Sequence, residues 1–162
     1  DDVISPASDA PLKDGDILML DTGLVFDGYF CDYDRNYALT QAAPKVQDAW
    51  HKLMEATQAG IEAGKPGTRA SDVFNAMDKV LTGGKGIGDT GRLGHGLGMQ
   101  LTELPSLIAA DHTLLQEGMI LTLEPSVVIQ DGGVIVHEDN YVVGAHGLEP
   151  LSPLPPADIP VL

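Results

Sequence analysis

Two pairs of acidic residues and one histidine carry the chemistry that this sequence offers. Asp21 and Asp32 flank the turn-like Phe26-Asp27-Gly28, and Glu124 and Glu138 flank Gln130-Asp131-Gly132-Gly133. His95 lies between the pairs in the run Gly94-His95-Gly96-Leu97-Gly98. Four carboxylates gathered at one point repel one another, so either a cation neutralises them or several hold protons. Four carboxylates and one imidazole suit hard-to-borderline divalent ions such as manganese, cobalt, iron or zinc. The chemistry holds only if the first and last thirds of the chain meet.

The elements that must bring them together are legible in outline. Ile17-Leu18-Met19-Leu20 reads as a short apolar strand leading into Asp21-Thr22-Gly23, and a second strand runs from about Tyr29 to Leu39 after the Asp27-Gly28 turn. A two-residue turn pairs residue 21 with 34 and residue 23 with 32, so Asp21, Asp32 and Asp34 crowd one side of the ribbon while Gly23 leaves space for an ion. A register shifted by two residues sets Asp21 opposite Asp32 instead, and either keeps the cluster; a slip of one breaks it. Pro44 to Ala63 is expected to form a helix with Val46, Ala49, Trp50, Leu53, Met54, Thr57 and Ile61 on one face, stopped by Gly64-Lys65-Pro66-Gly67. Thr68 or Ser71 should cap a second helix carrying Val73, Phe74, Met77, Val80 and Leu81, ended by Gly83-Gly84. A glycine-rich loop leads to His95 and a short strand through Leu101. Met119 to Val128 and Val134 to Val143 then form a second hairpin, whose three-residue loop centred on Asp131 sets Glu124 opposite Glu138. The order hairpin, two helices, hairpin suggests a duplicated α+β architecture, although no sequence repeat accompanies it.

Composition bounds the function. At 162 residues, with 43% hydrophobic and 20% charged residues, the chain suits one globular domain with a real core. A net charge of −15 argues against nucleic acid, which needs clustered Lys and Arg. No apolar run approaches the ~20 residues that span a membrane, so no membrane partner is expected. The single Cys31 excludes an internal disulfide and fits a reducing, cytoplasmic setting. The opening Asp1-Asp2-Val3-Ile4-Ser5-Pro6 reads as the middle of a larger protein, and the Pro-rich Leu151-Ser152-Pro153-Leu154-Pro155-Pro156 as an extended end.

Plainer readings compete at each position. Exposed strand faces often carry acids, but Asp21 ends an apolar strand, where a buried unpaired carboxylate is costly. Glu124 shares a strand face with Ile120 and Thr122 and can point into water. The glycines around His95 imply a backbone that closely approaches something else; a phosphate cradle is a weak reading, because no Lys-Ser/Thr follows. Gly83-Gly84-Lys85-Gly86-Ile87-Gly88 also lacks the P-loop spacing and reads as a flexible surface loop. His51, His112 and His146 are expected at the surface, His137 in a structural or supporting place, and Cys31 in buried packing on the face opposite Asp32.

The motifs Asp21-Thr22-Gly23, Cys31-Asp32-Tyr33-Asp34-Arg35, Gly94-His95-Gly96-Leu97-Gly98, Glu103-Leu104-Pro105, Leu123-Glu124-Pro125 and Glu138-Asp139-Asn140 occur in an order that resembles the pita-bread metallopeptidases. That group includes Xaa-Pro aminopeptidase, prolidase and methionine aminopeptidase, with creatinase as a non-peptidase cousin, and the Xaa-Pro branch fits best. The resemblance implies an α+β pita-bread fold, of which residues 1–162 form the C-terminal portion of the catalytic domain; an N-terminal domain and the first part of the catalytic domain would be absent. It also implies two divalent metal ions, manganese preferred over cobalt, zinc or iron. Asp21 would bind one ion, His95 and Glu124 the other, and Asp32 and Glu138 both. The activity implied is hydrolysis of the amide bond before proline by a metal-bridging hydroxide, with Glu124 taking the water's proton and a homodimer as the full-length assembly. The place of a second histidine is taken by Thr102, which is left as the catalytic and substrate-binding donor, and an upstream histidine position falls near Ile4. Asp34 replaces the usual threonine beside the metals, and Val136 an arginine. Thr102 can donate one hydrogen bond but cannot shuttle a proton near neutral pH. Two alternatives therefore stay open: a creatinase-like or lyase enzyme acting on a small amide or other small substrate, and a catalytically silent binding module.

Overall fold

A computed structural model of the chain describes residues 9–87, 91–129 and 133–162. β1 (Ile17–Phe26) and β2 (Tyr29–Ala38) form an antiparallel ribbon in which Asp21 pairs with Asp34 and Gly23 with Asp32. This is the first of the two expected registers. Asp27 and Gly28 take positive φ values of 50° and 87°, which a two-residue turn matching the strand twist requires. β1 does not stop at Leu20 as expected but runs through Asp21 to Phe26, and its outer half is exposed. Gly23 leaves no space for an ion either: a Cβ there would stand 2.3 Å from the Cys31 carbonyl oxygen, so the glycine serves close strand approach.

α1 (Pro44–Ala63) begins and ends where the sequence sets it, and buries Val46, Ala49, Trp50, Leu53, Ala56, Thr57 and Gly60. α2 (Ala70–Thr82) corrects the expected cap. Its N-cap is Arg69 without a side-chain bond, because the first helical N–H groups, those of Ala70 and Ser71, donate to the carbonyls of Thr113 and Asp111. The Ser71 hydroxyl instead meets His112 Nδ1 at 3.1 Å. Beyond Gly83 the surface loop is tied down, with Lys85 N–H donating to Thr82 Oγ1 and Gly86 N–H to Asp78 Oδ2; Gly88 lies outside the described residues.

A five-stranded antiparallel sheet of order β4-β3-β5-β8-β9 is built from β3 (His95–Gly96), β4 (Glu103–Ser106), β5 (Ile120–Leu123), β8 (Asp139–Val143) and β9 (Leu148–Pro150). β3 is two residues long rather than reaching Leu101, because its ladder bulges between His95 and Gly96 and the chain then bends. The expected second hairpin is split into two ladders: β5 pairs with β8, while β6 (Ser126–Val128) pairs with β7 (Val134–Val136). Pro125, which has no N–H, sits at the break. Leu123 opposes Asp139 and Ser126 opposes Val136, so one register runs through both ladders and sets Glu124 across from Glu138. The turn residues 130–132 lie outside the described residues.

Two apolar clusters hold these layers. One joins α2 to the large sheet through Val73, Phe74, Met77, Leu121, Leu123 and Tyr141. The other joins α1 to the ribbons through Trp50, Leu53, Ala38, Ile135 and Ile159. The Pro-rich tail is not free: Val161 bridges Ala38 in parallel, and Trp50 Nε1 donates to the Pro156 carbonyl at 3.2 Å. Cys31 is half-buried rather than buried.

Candidate metal centre

Three of the five residues singled out by sequence converge. One oxygen each of Asp32 and Glu138 and one ring nitrogen of His95 lie within 4.8 Å of one another. His95 Nε2 is 3.8 Å from Asp32 Oδ2 and 3.7 Å from Glu138 Oε1. The ring, 1% exposed, is oriented by the contact of Nδ1 with the Gly96 carbonyl at 2.8 Å, so Nδ1 donates there and Nε2 faces the acids. Gly94 makes this approach possible. A Cβ there would stand 2.1 Å from the Thr122 carbonyl oxygen, which is the close contact that the glycine run implied.

The other two stand beside the cluster. Asp21 is exposed, contrary to a buried strand end, yet near enough to push Asp32 and Asp34 upward. Glu124 is half-buried and its Oε1 accepts Arg92 Nε–H at 2.6 Å. Thr102 lies exposed between β3 and β4, lining a shallow hollow with Gln100, Glu103, Leu104 and Ser106. Asp34 is buried at the floor, bridged to Glu138 in the backbone.

The electrostatics record the crowding. Burial, then the charges of Glu124, Asp32 and Asp34, push Glu138 up to about 9, against the hydrogen bond from Thr122. Burial, then Asp21, Asp32 and Glu124, lift Asp34 to about 7, with Arg35 opposing. Asp32 is raised by burial and Asp21, with His95 and Arg92 pulling it down. Glu138 Oε1 and Asp34 Oδ1 are buried with no hydrogen-bond partner among the described residues. A buried, unpaired carboxylate oxygen is costly unless a proton or a cation reaches it.

Several supporting residues escaped the sequence reading. The two ribbons meet along a seam in one register, with Asp34 opposite Glu138. Arg35 Nη1 donates to the carbonyls of Asp34 and Glu138, and Nη2 to Asp139 Oδ1 at 2.5 Å. Asn36 Nδ2 donates to the Val136 carbonyl at 2.6 Å. Thr122 Oγ1 accepts the His95 N–H. His137 is supporting, as expected: fully buried, edge-on to Trp50, with Nε2 2.9 Å from Asp139 Oδ2. Burial alone would raise Asp139, but His137, Arg35 and Ser152 hold it below its ordinary value. His51, His112 and His146 are exposed as expected, although His51 meets Asp158 at 3.0 Å. Arg92 carried a signal that went unused, a cation three residues before the histidine in a strongly acidic chain.

Metallopeptidase family M24 matches residues 3–145. The chain is 40% identical to YkvY of Bacillus subtilis (strain 168) over 135 residues, 82% of this chain and 37% of that protein. It is 30% identical to the Xaa-Pro dipeptidase of Pyrococcus furiosus over 148 residues, 90% of this chain and 42% of the relative. The solved structure of dipeptidase PepE from Mycobacterium ulcerans matches with a TM-score of 0.86 at 29% identity, covering 95% of this chain and 42% of that one. The architecture is thus the α+β pita-bread fold shared by prolidases and aminopeptidases. The chain belongs to metallopeptidase family M24. It spans about two fifths of the length of the relatives it matches. None of its helices among the described residues is long and apolar enough to cross a membrane.

Proposed function

We propose that the protein is a metal-dependent hydrolase that cleaves the amide bond before proline in short peptides. The observation that carries this reading is the convergence of Asp32, His95 and Glu138 around buried carboxylate oxygens that lack partners. The donor set, carboxylates with one neutral imidazole nitrogen, fits manganese and its neighbours. Asp21, Asp32, His95, Glu124 and Glu138 would hold two such ions. When bound, ions of this kind acidify a water molecule and polarise a carbonyl.

The chain's own residues do the rest. Glu124, a half-buried carboxylate beside the cluster, would take the proton of the attacking water and return it to the leaving proline nitrogen. Arg92 holds its carboxylate by the Nε contact, so the position of the base is set by a cation from the His95 segment. Thr102, exposed in its own shallow hollow, would offer a substrate one hydrogen bond without a proton to exchange. Asp34 adds a buried negative charge behind the ligands and strengthens the site's preference for cations.

The test is an assay of the manganese-loaded protein on Xaa-Pro dipeptides, longer Xaa-Pro peptides and creatine-like compounds. Hydrolysis of the proline peptides is expected, and Glu124→Ala should abolish it while leaving the circular dichroism spectrum unchanged. Turnover retained in Glu124→Ala would overturn the assigned base. The exchange of a histidine for Thr102 favours a second reading, a small non-peptide substrate, and turnover confined to creatine-like compounds would select it.

A further inference from the structure

The seam between the two ribbons assigns a part to Asn140. Asp34 opposes Glu138, and the same register sets Asp32 opposite Asn140 and Asn36 opposite Val136. A regular ladder would join Asp32 to Asn140 through their backbones. The backbone of Asn140 is committed elsewhere: it pairs with Thr122 of β5, and its carbonyl accepts the Leu151 N–H at 2.9 Å. The side-chain amide takes its place. Asn140 Oδ1 accepts the Asp32 N–H at 3.0 Å, and Nδ2 donates to the Asp32 carbonyl at 2.5 Å. A carboxamide carries the donor and acceptor of a peptide group on one rigid plane, so it can stand in for a strand's pairing edge. Asn140 is 2% exposed, so nothing in solvent competes for either bond.

We propose that Asn140 is a positioning residue for the cation site, fixing the backbone of Asp32 against the strand that carries Glu138 and so setting the separation of the two carboxylates. The inference rests on the cation-binding reading of Asp32, His95 and Glu138. Glu138 is two residues from Asn140 on the same face of the chain. The clamp therefore ties both acids to one rigid reference, although they are 106 positions apart in sequence. Asn36 makes one bond at the other end of the same seam, to the Val136 carbonyl, and holds neither acid directly.

The experiment strips the protein of metal and measures Mn²⁺ binding by titration calorimetry and the visible absorption of the Co²⁺-loaded form. Asn140→Ala and Asn140→Gln, the second keeping the amide but displacing it by one methylene, are compared with Asn36→Ala. Mn²⁺ binding about 10- to 100-fold weaker and altered Co²⁺ bands are expected for both Asn140 variants, the size usual for a residue that orients a ligand. Asn36→Ala should lower the melting temperature and leave Mn²⁺ affinity and the Co²⁺ spectrum as in the parent. Asn140 variants that fold and bind Mn²⁺ with the parent's affinity and spectrum would overturn the assignment. So would a loss of affinity in Asn36→Ala equal to theirs, since that reports general loosening of the seam. Failure of the parent itself to take up either ion would overturn the cation-site reading, and the positioning role with it.

Discussion

Replacing Gly94 by alanine tests the link between the glycine run and the site. Gly94 has a φ of 149°, a region that side-chain-bearing residues rarely occupy. An added Cβ would lie 2.1 Å from the Thr122 carbonyl oxygen and 2.7 Å from Leu107 Cδ1. Neither the glycine nor its neighbours can easily yield. The Gly94 carbonyl accepts the Leu107 N–H at 2.9 Å, and the Leu93 carbonyl accepts the Glu124 N–H at 3.0 Å. Thr122 is fully buried in the middle of β5. Strained backbone costs about 1–3 kcal/mol and a core overlap a similar amount, so a loss of about 2–6 kcal/mol is expected. Against the ~5–15 kcal/mol that usually holds a domain together, such a loss leaves a marginal fold. Gly98→Ala is the matched control, because its Cβ would meet only the Glu103 carboxylate at 3.2–3.3 Å, the end of a side chain that can swing aside. Urea denaturation of both variants reads the difference. Gly94→Ala within about 1 kcal/mol of the parent, or no less stable than Gly98→Ala, would refute the claim that His95 is placed by a backbone packed against Thr122.

Three further outcomes follow from charge and burial. Asp34 at about 7 and Glu138 at about 9 keep protons in the metal-free fold that the unfolded chain sheds near 4. Below about pH 4 both states are protonated and nothing is lost; stability then falls as pH rises, by about 2 kcal/mol per unit near pH 7, and the penalty is complete above about pH 9. Between them the two groups hold roughly one to two protons near pH 7 and fewer as pH rises toward 9, and Mn²⁺ loading should release them; calorimetric heats independent of the buffer's ionisation enthalpy would refute it. Arg35→Met removes one partner of Asp139, which is 1% exposed, and the contacts with the Asp34 and Glu138 carbonyls, the second of which crosses the seam. A loss of about 2–4 kcal/mol in urea denaturation is expected, partly restored by adding Asp139→Asn; an unchanged midpoint would contradict the seam's role.

What the sequence made legible is what short-range chemistry determines. The Asp27-Gly28 turn narrowed β1 and β2 to two registers, of which the first is observed, and the 3–4 spacing from Val46 set the buried face of α1. The matched ladders around Asp131 likewise follow from loop length and alternation. The errors arose where a distant partner decided the outcome. Thr68 and Ser71 looked like caps, but the carbonyls of 111 and 113 had already satisfied the helix N-terminus. Asp21 looked like a buried strand end because Leu20 precedes it, yet β1 is exposed from Leu20 to Phe26. Asn36, Asn140, Arg35 and Thr122 carry no local signal, since their partners lie 27 to 108 positions away.

That division has a physical cause. The sheet commits the backbone of β8 to β5 on one side and to β9 on the other, so among the described residues β2 meets it through side chains and through the bridge from Asp34 to Glu138 just before β8. A seam built that way can bring acids together without continuous strand pairing, and it leaves carboxylate oxygens buried without donors. An apolar seam would be cheaper to fold, because buried charges without partners oppose the compact state. The proposed cation site would account for the gathering of four acids, one histidine and their amide and guanidinium supports, because a bound cation offsets the acids' mutual repulsion. A cation does so at once for Asp32, Glu138 and the buried Asp34, whereas protons do so only below the pH at which each carboxyl ionises.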